Sequence, residues 1–394
     1  MVKLEIKKIF SKKINKILLS LVFIISVLFS YFAVTSVVYV DETGKENTGF
    51  TEARKLTDLK NEHRGYLTNK KLAEIVSVKQ GLSKKYPNNL PNDIYAETNQ
   101  PINDIIEMIN QIVRADGEYE PSAILTLNSY EKNILYDIRE KNIEKLISNS
   151  DTSEKQSYLR KKYNSISTPF YYEGVDPMTT IINYATTIII ILVLVVAFFS
   201  SQIFSDEFYL KSDSLFFSTK FGKSKAKISK MISGISITTV VYISGVGLLT
   251  ILCGLIMGFS GINVPHQFEY PYSIYNITLG QELLLVLFCG YVACILSCAI
   301  SMFFSAKFKN NLLSVFIVFS LFIVSPFVGR VLPFDTFFQL SCDQLLNISN
   351  CIRIPYIYQF KNLVFGQVPF LVLTYLSISI AIMPLIYLNY KFSD

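Results

Sequence analysis

The sequence has no tryptophan and only two histidines, His63 and His266, which lie far apart in the chain. It contains no His-Glu-x-x-His segment, and its six cysteines lack the spacing of zinc ligands. A Gly-x-Ser-x-Gly nucleophile elbow is also missing. These absences argue against metal-dependent and serine hydrolysis, and both histidines are expected to be surface residues. We predict no catalytic residue, no metal site and no bound cofactor in this chain.

A complete phosphate-binding loop is missing as well. Such a loop needs Gly-x-x-x-x-Gly-Lys-Ser/Thr, because its backbone amides must surround the phosphates. Gly222, Lys223 and Ser224 supply the end of this motif, but Phe217 stands where the first glycine is required. The chain is therefore not expected to hydrolyse ATP, and we predict that it is not an enzyme.

Charged residues are scarce, at 17% of the 394 residues, whereas hydrophobic residues make up 51%. A membrane-spanning helix needs about 20 apolar residues to cross roughly 30 Å of hydrocarbon. The sequence predicts an all-α polytopic membrane protein with six transmembrane helices. The six apolar stretches are residues 17–40, 178–200, 231–259, 283–304, 312–332 and 368–388.

The apolar stretches have no ionisable residue near their centres. A charge at the centre of a bilayer costs about 3 kcal/mol on insertion scales, so it is retained there only for a purpose. Its absence argues against a carrier coupled to protons or sodium and against a pore lined by charged rings.

Lysines are concentrated beside the apolar stretches and in alternate connections. Residues 1–16 and residues 201–230 contain six lysines each, whereas residues 260–282 contain neither lysine nor arginine. Short connections rich in lysine stay on the cytoplasmic side. We therefore predict a multi-pass protein of the plasma membrane with both termini in the cytoplasm. The net charge of +6 is interpreted as an orientation signal beside a lipid bilayer, and no nucleic acid partner is predicted.

The connections have distinct predicted structures. Residues 1–16 form a cytoplasmic amphipathic helix at the interface, and residues 41–177 form a mostly helical extracytoplasmic domain. Residues 201–230 form a cytoplasmic coupling loop, in which Asp206 and Glu207 are expected to be exposed. Residues 333–367 form an extracytoplasmic amphipathic segment with a pair of short helices.

Two cysteines of the last connection, Cys342 and Cys351, are close enough in sequence to form a small disulfide ring. Two free thiols are the equal alternative, because cysteine count and spacing do not decide between them.

This layout resembles the ABC-2 type permease family, the membrane subunits of ATP-binding-cassette exporters. The local match lies in the central connection, where an acidic element is followed by a Leu-rich step and a basic part. The acidic element is Asp206-Glu207, the step is residues 215–219, and the basic part is Lys220, Lys223 and Lys225. The chain departs from the family pattern at Lys211-Ser212 and at Phe221, where Gly-Thr and proline are usual.

The resemblance implies a permease that pairs with a second copy or a paralogue and docks on a dimer of a separately encoded ATPase, which binds ATP and Mg. It also implies that Asp206, Glu207 and Phe208 begin the contact with that ATPase. The implied function is export of an amphipathic cargo, namely a peptide or antimicrobial, a lipid or a drug.

Two other functions fit the same sequence. One is a non-transporting sensor or immunity protein that binds an external ligand through residues 41–177. The other is a permease type with four spans and a similar insert, against which the count of six apolar stretches argues. Co-purification of an ATPase separates the first from an exporter, and a topology map with reporter fusions separates the second.

Overall fold

The structure is a computed structural model, and it describes residues 1–114, 122–219, 221–222, 224–332 and 334–390. Lys220 and Lys223, which belong to the predicted basic part of the central connection, lie outside the described residues. The described part of the chain is mostly helical, and its strands form three two-stranded antiparallel pairs.

Six helices are long and apolar enough to cross a membrane, which confirms the predicted number. We call them spans 1 to 6, in chain order. They are Lys13–Thr35, Asp176–Tyr209, Lys225–Met257, Leu279–Phe308, Asn311–Gly329 and Gln367–Asn389.

Spans 2 and 3 are longer than their apolar stretches, and both extend at the same end of the molecule. Span 2 has 34 residues and span 3 has 33. At 1.5 Å per residue each helix is about 50 Å long, well beyond the roughly 30 Å of a hydrocarbon core. The predicted loop 201–230 is therefore wrong at both ends, and only residues 210–224 connect the two spans. A short helix, Asp213–Ser218, lies within that connection.

The length of span 2 follows from its sequence. Pro177 occupies the first turn, where its missing N–H is tolerated, and no glycine or proline follows before Tyr209. The backbone hydrogen-bond ladder therefore continues into the polar residues 201–209. Those polar side chains find partners on neighbouring segments, as described below.

Span 1 begins and ends a few residues earlier in the chain than the predicted stretch 17–40. A separate helix covers Val2–Ser11, and Lys12 has an extended backbone that divides it from span 1. Span 1 ends at Thr35, and the β-branched and aromatic residues that follow form the strand Val38–Val40. This strand pairs with Glu46–Thr48.

The region between spans 1 and 2, residues 38–175, is here called the insert. Its described part is mostly helical, as predicted. Gly65–Tyr66, which follows the first helix of the insert, pairs with Tyr171–Tyr172 near its end. Ile105, Ile109 and Ile112 recur at helical spacing and are buried in the core. The helices of the insert are Phe50–Asn61, Asn69–Lys85, Asn92–Thr98, Asn103–Val113, Leu135–Ser148 and Ser153–Tyr163, with short 3-10 turns at Gln100–Ile102, Ala123–Thr126 and Glu131–Asn133.

The connection between spans 5 and 6 differs from its prediction. Its first half contains the short helices Asp335–Gln339, Cys342–Leu346 and Ile348–Arg353. Its second half is a hairpin of Ile357–Phe360 with Leu363–Gly366, where a second amphipathic helix was predicted. Pro355 prevents helix continuation, and alternating aromatic residues favour strands.

Cys342 and Cys351 are free thiols in this structure, and both are buried. The Sγ of Cys342 donates to the carbonyl of Leu321 at 3.6 Å. Burial raises the pKa of each thiol to about 12.

Span 4 packs along span 2 through a ladder of serines spaced four residues apart. The Oγ atoms of Ser297 and Ser301 donate to the carbonyl oxygens of Val193 and Ala197 at 2.8 and 2.7 Å. Ser305 continues the ladder to the carbonyl of Ser201. Small side chains allow such close helix approach, and the ladder fixes the register of the two helices.

Candidate functional site

The polar ends of the spans meet around Glu207, in the last turns of span 2. Its Oε1 accepts hydrogen bonds from the Nζ atoms of Lys8 and Lys230, each at 2.7 Å. Its Oε2 accepts from the hydroxyl of Tyr390 at 3.2 Å. One carboxylate thus joins the N-terminal helix, span 2, span 3 and the residue after span 6.

Asp206 forms a second connection to the N-terminal segment. The Nζ of Lys12 donates to its two carboxylate oxygens at 2.6 and 2.7 Å and to the Oε1 of Gln202 at 2.9 Å. Gln202 and Asn15 exchange hydrogen bonds of 3.0 Å in both directions. These contacts hold the break between the N-terminal helix and span 1 against span 2.

Lys230 is the most deeply buried charge of the group, with no exposed surface. Its ammonium donates to the carbonyl of Ile203 at 2.6 Å, to Glu207 at 2.7 Å and to Glu5 at 3.3 Å. An ammonium has three protons, so its hydrogen-bonding capacity is filled. A buried charge needs such pairing, because its desolvation is costly.

We call this group the charge cluster. Three carboxylates balance three ammonium groups, so the charges of these six residues sum to zero. Burial disfavours the ammonium of Lys8, but Glu207, Glu5 and Asp206 together outweigh that effect and raise the pKa of Lys8. The members are Glu5, Lys8, Lys12, Asp206, Glu207 and Lys230.

Aromatic rings enclose the cluster on the side of Tyr390. The ring of Tyr390 lies 4.8 Å from that of Phe204 and 5.1 Å from that of Phe217, measured between centroids. Lys230 lies over the ring of Phe216 at 5.4 Å. Burial, together with the nearby charge of Glu207, raises the pKa of the Tyr390 hydroxyl, which therefore stays a donor.

The structure corrects the expected exposure of the acidic pair. Asp206 is 5% exposed and Glu207 is 4% exposed, and both are occupied by side chains of the same protein. Phe208 is half-buried, and Lys309 lies over its ring at 4.6 Å. The carboxylates of Asp206 and Glu207 thus point into the fold, where side chains of the same protein bind them.

The sequence gives only a partial signal for the cluster. Gln202 and Asp206 continue the helical period of span 2, and Lys8 and Lys12 are also four residues apart. Lys12 has an extended backbone, so the two lysines do not lie on one helix and their spacing predicts no pairing with span 2. The participation of Lys230 and Tyr390 had no local signal, because both come from distant parts of the chain.

Exposed apolar side chains follow the acidic pair along the chain. Tyr209, Leu210 and Leu215 are exposed, and Leu215 has 71% of its surface free. We call these three residues the connector surface. Large exposed apolar side chains that lie near one another in the chain favour a protein or membrane interface.

The insert is fastened to the opposite ends of the spans. Lys60 pairs with Asp104 of the insert and with Asp176 of span 2, at 2.7 and 2.8 Å. Arg54 donates to the carbonyl of Leu255 at 2.7 Å, which caps the end of span 3. The Oε1 of Glu173 accepts from the backbone N–H of Gly261 at 3.0 Å.

His266 is buried, so the expected surface position of this histidine is wrong. Its Nδ1 lies 2.7 Å from the Oε2 of Glu282, in the first turn of span 4. His63 is half-buried on the insert. Within the described ranges, no group of three or more His, Cys, Asp or Glu side chains could hold a metal ion.

Comparisons with protein-family models, with curated proteins and with solved structures give no match. The described residues form a mostly helical fold with six helices long and apolar enough to cross a membrane, which indicates a multi-pass membrane protein.

Proposed function

We propose that this chain is the transmembrane permease subunit of an ABC exporter, which moves an amphipathic peptide, lipid or drug across the plasma membrane. A separate ATPase subunit supplies the energy. The observation that carries the proposal is the charge cluster, which locks four segments together beside an exposed connection. The lysine-rich end faces the cytoplasm in this proposal, and the insert faces outward.

The cluster suits the transmission of force. A push on residues 210–224 reaches span 2 through Glu207 and span 3 through Lys230, because both residues belong to one buried network. Asp206 and Glu207 act here as positioning residues within the permease. Contact with the ATPase falls on Phe208 and on the connector surface.

Spans 5 and 6 supply the surface for a second permease subunit. In the most apolar 18-residue stretch of each of these helices, only 17% of the residues are buried within the chain. The corresponding share in span 4 is 67%. Apolar helix faces of this kind pack against lipid or against another membrane helix.

The test is purification of the tagged protein from its native membrane, followed by reconstitution with any ATPase that accompanies it. The substitution Leu215→Asp is expected to abolish the stimulation of the ATPase by the permease, because it places a charge in the proposed contact between the two proteins. Leu363→Asp is the matched control, since Leu363 is also 71% exposed but lies on the hairpin at the other end. Full activity without a nucleotide-hydrolysing companion, or equal effects of the two substitutions, contradicts the proposal.

A second function, a sensor or immunity protein without transport, is favoured by one observation. A cavity of 800 Å³ lies where the insert meets spans 1 and 2. A sensor needs such a site and no ATPase, so absence of an ATPase together with ligand binding selects this function.

A further inference from the structure

The cavity of the insert has the size and position of a ligand site. Its volume, 800 Å³, falls within the range of about 300–1,000 Å³ that is usual for small-ligand pockets. Ser36 and Val37, just beyond span 1, and Asp176 and Thr180 of span 2 form the wall nearest the membrane helices. The insert supplies the remaining wall.

The charged residues that line the cavity carry a surplus of negative charge, because the carboxylates of Glu46, Asp104 and Asp176 outnumber the ammonium groups of Lys60 and Lys79. Lys60 is buried and donates to the Oδ1 atoms of both Asp104 and Asp176. The hydroxyl of Tyr172 donates to the Oδ2 of Asp104 at 3.3 Å. Two carboxylates therefore share one ammonium. Burial, which Lys60 only partly offsets, raises the pKa of Asp104 to about 6, so a further cation stabilises its charged form.

Two residues that line the cavity each have a buried acceptor atom without a partner among the described residues. Asn99 is only 3% exposed, and its Oδ1 is buried with no hydrogen-bond partner among the described residues. The Oδ2 of Asp176 is likewise buried with no hydrogen-bond partner among the described residues. Each buried polar atom without a partner costs about 1–3 kcal/mol, so both favour a ligand that donates hydrogen bonds.

We infer that the cavity binds the ammonium group of a cationic amphipathic peptide. The ammonium donates to the Oδ2 of Asp176 and to the Oδ1 of Asn99, and its positive charge balances the second carboxylate. Val37, Val40 and Leu56 line the same cavity and contact the apolar part of the peptide. A lysine side chain or a free N-terminus has this chemistry, with three protons to donate.

The site goes beyond the proposed export function, because it serves a transported peptide and a sensed peptide equally. It also lies on span 2, whose opposite end carries Glu207. Span 2 has no glycine or proline after Pro177, so a shift of Asp176 on binding moves a continuous helix.

The test is binding to the purified full-length protein in nanodiscs, without nucleotide and without an ATPase. The probe is the peptide Lys-Leu-Lys-Leu with a fluorophore at its C-terminus, measured by fluorescence anisotropy. Acetylated Glu-Leu-Glu-Leu with the same fluorophore is the charge-reversed control, and empty nanodiscs give the lipid background. The cationic peptide is expected to bind at least about tenfold more tightly than the acidic one.

Three variants locate the site. Asp176→Asn and Asn99→Ala are each expected to weaken binding about tenfold, which is typical of a lost hydrogen bond to a charged group. Thr180→Phe fills the cavity and is expected to abolish binding. Asp58→Asn is the matched control for Asp176→Asn, because Asp58 is an exposed carboxylate on the helix of Lys60 and does not line the cavity.

Thermal unfolding of each variant shows whether it is folded. If Asp176→Asn unfolds because Lys60 loses a partner, the result rests on Asn99→Ala and Thr180→Phe. Equal affinity for the two peptides, or unchanged affinity in folded Thr180→Phe, overturns the inference. If the protein binds the peptide but recruits no ATPase, the exporter function is contradicted and the peptide site is not. If it recruits an ATPase but binds no peptide, the peptide site is contradicted and the exporter function is not.

Discussion

Glu207 shows how a single side chain can hold several segments together. It is the shared acceptor for Lys8, Lys230 and Tyr390, which come from three other parts of the chain. A buried ion pair contributes little net stability compared with a well-packed apolar pair, but loss of one partner leaves an uncompensated charge. Arrangements that separate Glu207 from its partners are therefore disfavoured, because they leave a buried charge without its counter-charge.

The substitution Glu207→Ala is expected to lower the free energy of unfolding by about 3–5 kcal/mol, because Lys230 then remains buried without its main counter-charge. The measurement is chemical or thermal unfolding of the protein in detergent. Glu42→Ala is the control, since Glu42 is exposed, and its effect should stay within about 0.5 kcal/mol.

A double substitution tests the pairing directly. Glu207→Ala with Lys230→Met should cost less than the sum of the two single changes, because it removes both buried charges together. Strict additivity contradicts a direct interaction between these two residues.

The six cysteines give a second test at the level of side chains. All six are buried free thiols in the structure. Denaturation without reductant, followed by alkylation and intact mass measurement, is expected to add six alkyl groups. In the folded protein at pH 8, Cys342 and Cys351 should react slowly, because their pKa is raised to about 12 and little thiolate forms. Addition of only four groups contradicts the free thiols.

Among the helices, spans 2 and 4 form the best-buried pair, and the serine ladder defines their contact. Ser301 has no exposed surface, and its Oγ donates to the carbonyl of Ala197. Interhelical hydrogen bonds of this kind contribute only about 0.6 kcal/mol in membranes. The small size of serine, which lets the two backbones approach, is the larger effect.

The substitution Ser301→Leu is therefore expected to destabilise the protein by about 1–3 kcal/mol through overpacking, and Ser301→Ala by less than about 1 kcal/mol. Ser20→Leu on the exposed face of span 1 is the matched control and should have little effect. Unfolding in detergent gives the comparison. A larger loss for Ser301→Ala than for Ser301→Leu shows that the hydrogen bond, and not the close approach, dominates.

For the molecule as a whole, the charge cluster and the insert lie at opposite ends of span 2. Asp176 begins this helix and Glu207 lies near its end, about 50 Å away at 1.5 Å per residue. This separation places the peptide site and the connector surface on opposite sides of any bilayer that the spans cross. The proposed orientation puts the lysine-rich end in the cytoplasm.

Cysteine labelling of intact cells tests this orientation. Tyr130→Cys on the insert should react with a membrane-impermeant maleimide from outside. Leu215→Cys should react only after the membrane is opened. The two positions are a matched pair, since Tyr130 is 72% exposed and Leu215 is 71% exposed. Labelling of Leu215→Cys in intact cells contradicts the orientation and, with it, an ATPase contact at this end.

Local composition decided the number of spans and the mostly helical insert. Apolar length and the spacing of Ile105, Ile109 and Ile112 are properties of neighbouring residues, so they can be read without knowledge of the fold. The turn near Pro355 was also visible, but the hairpin after it was not, because strand pairing depends on a partner strand and a turn.

Tertiary contacts decided the rest. Asp206 and Glu207 resemble exposed loop residues in the sequence, yet lysines from two distant segments make their burial favourable. Nothing near residue 207 in the sequence indicates that Lys8 and Lys230 will reach it, because the packing of the helices sets the distance between these residues. The peptide cavity likewise exists only where Asn99 of the insert meets Asp176 of span 2. Hydrophobicity is a local property and charge pairing is not, which is why the spans could be foreseen and both polar sites could not.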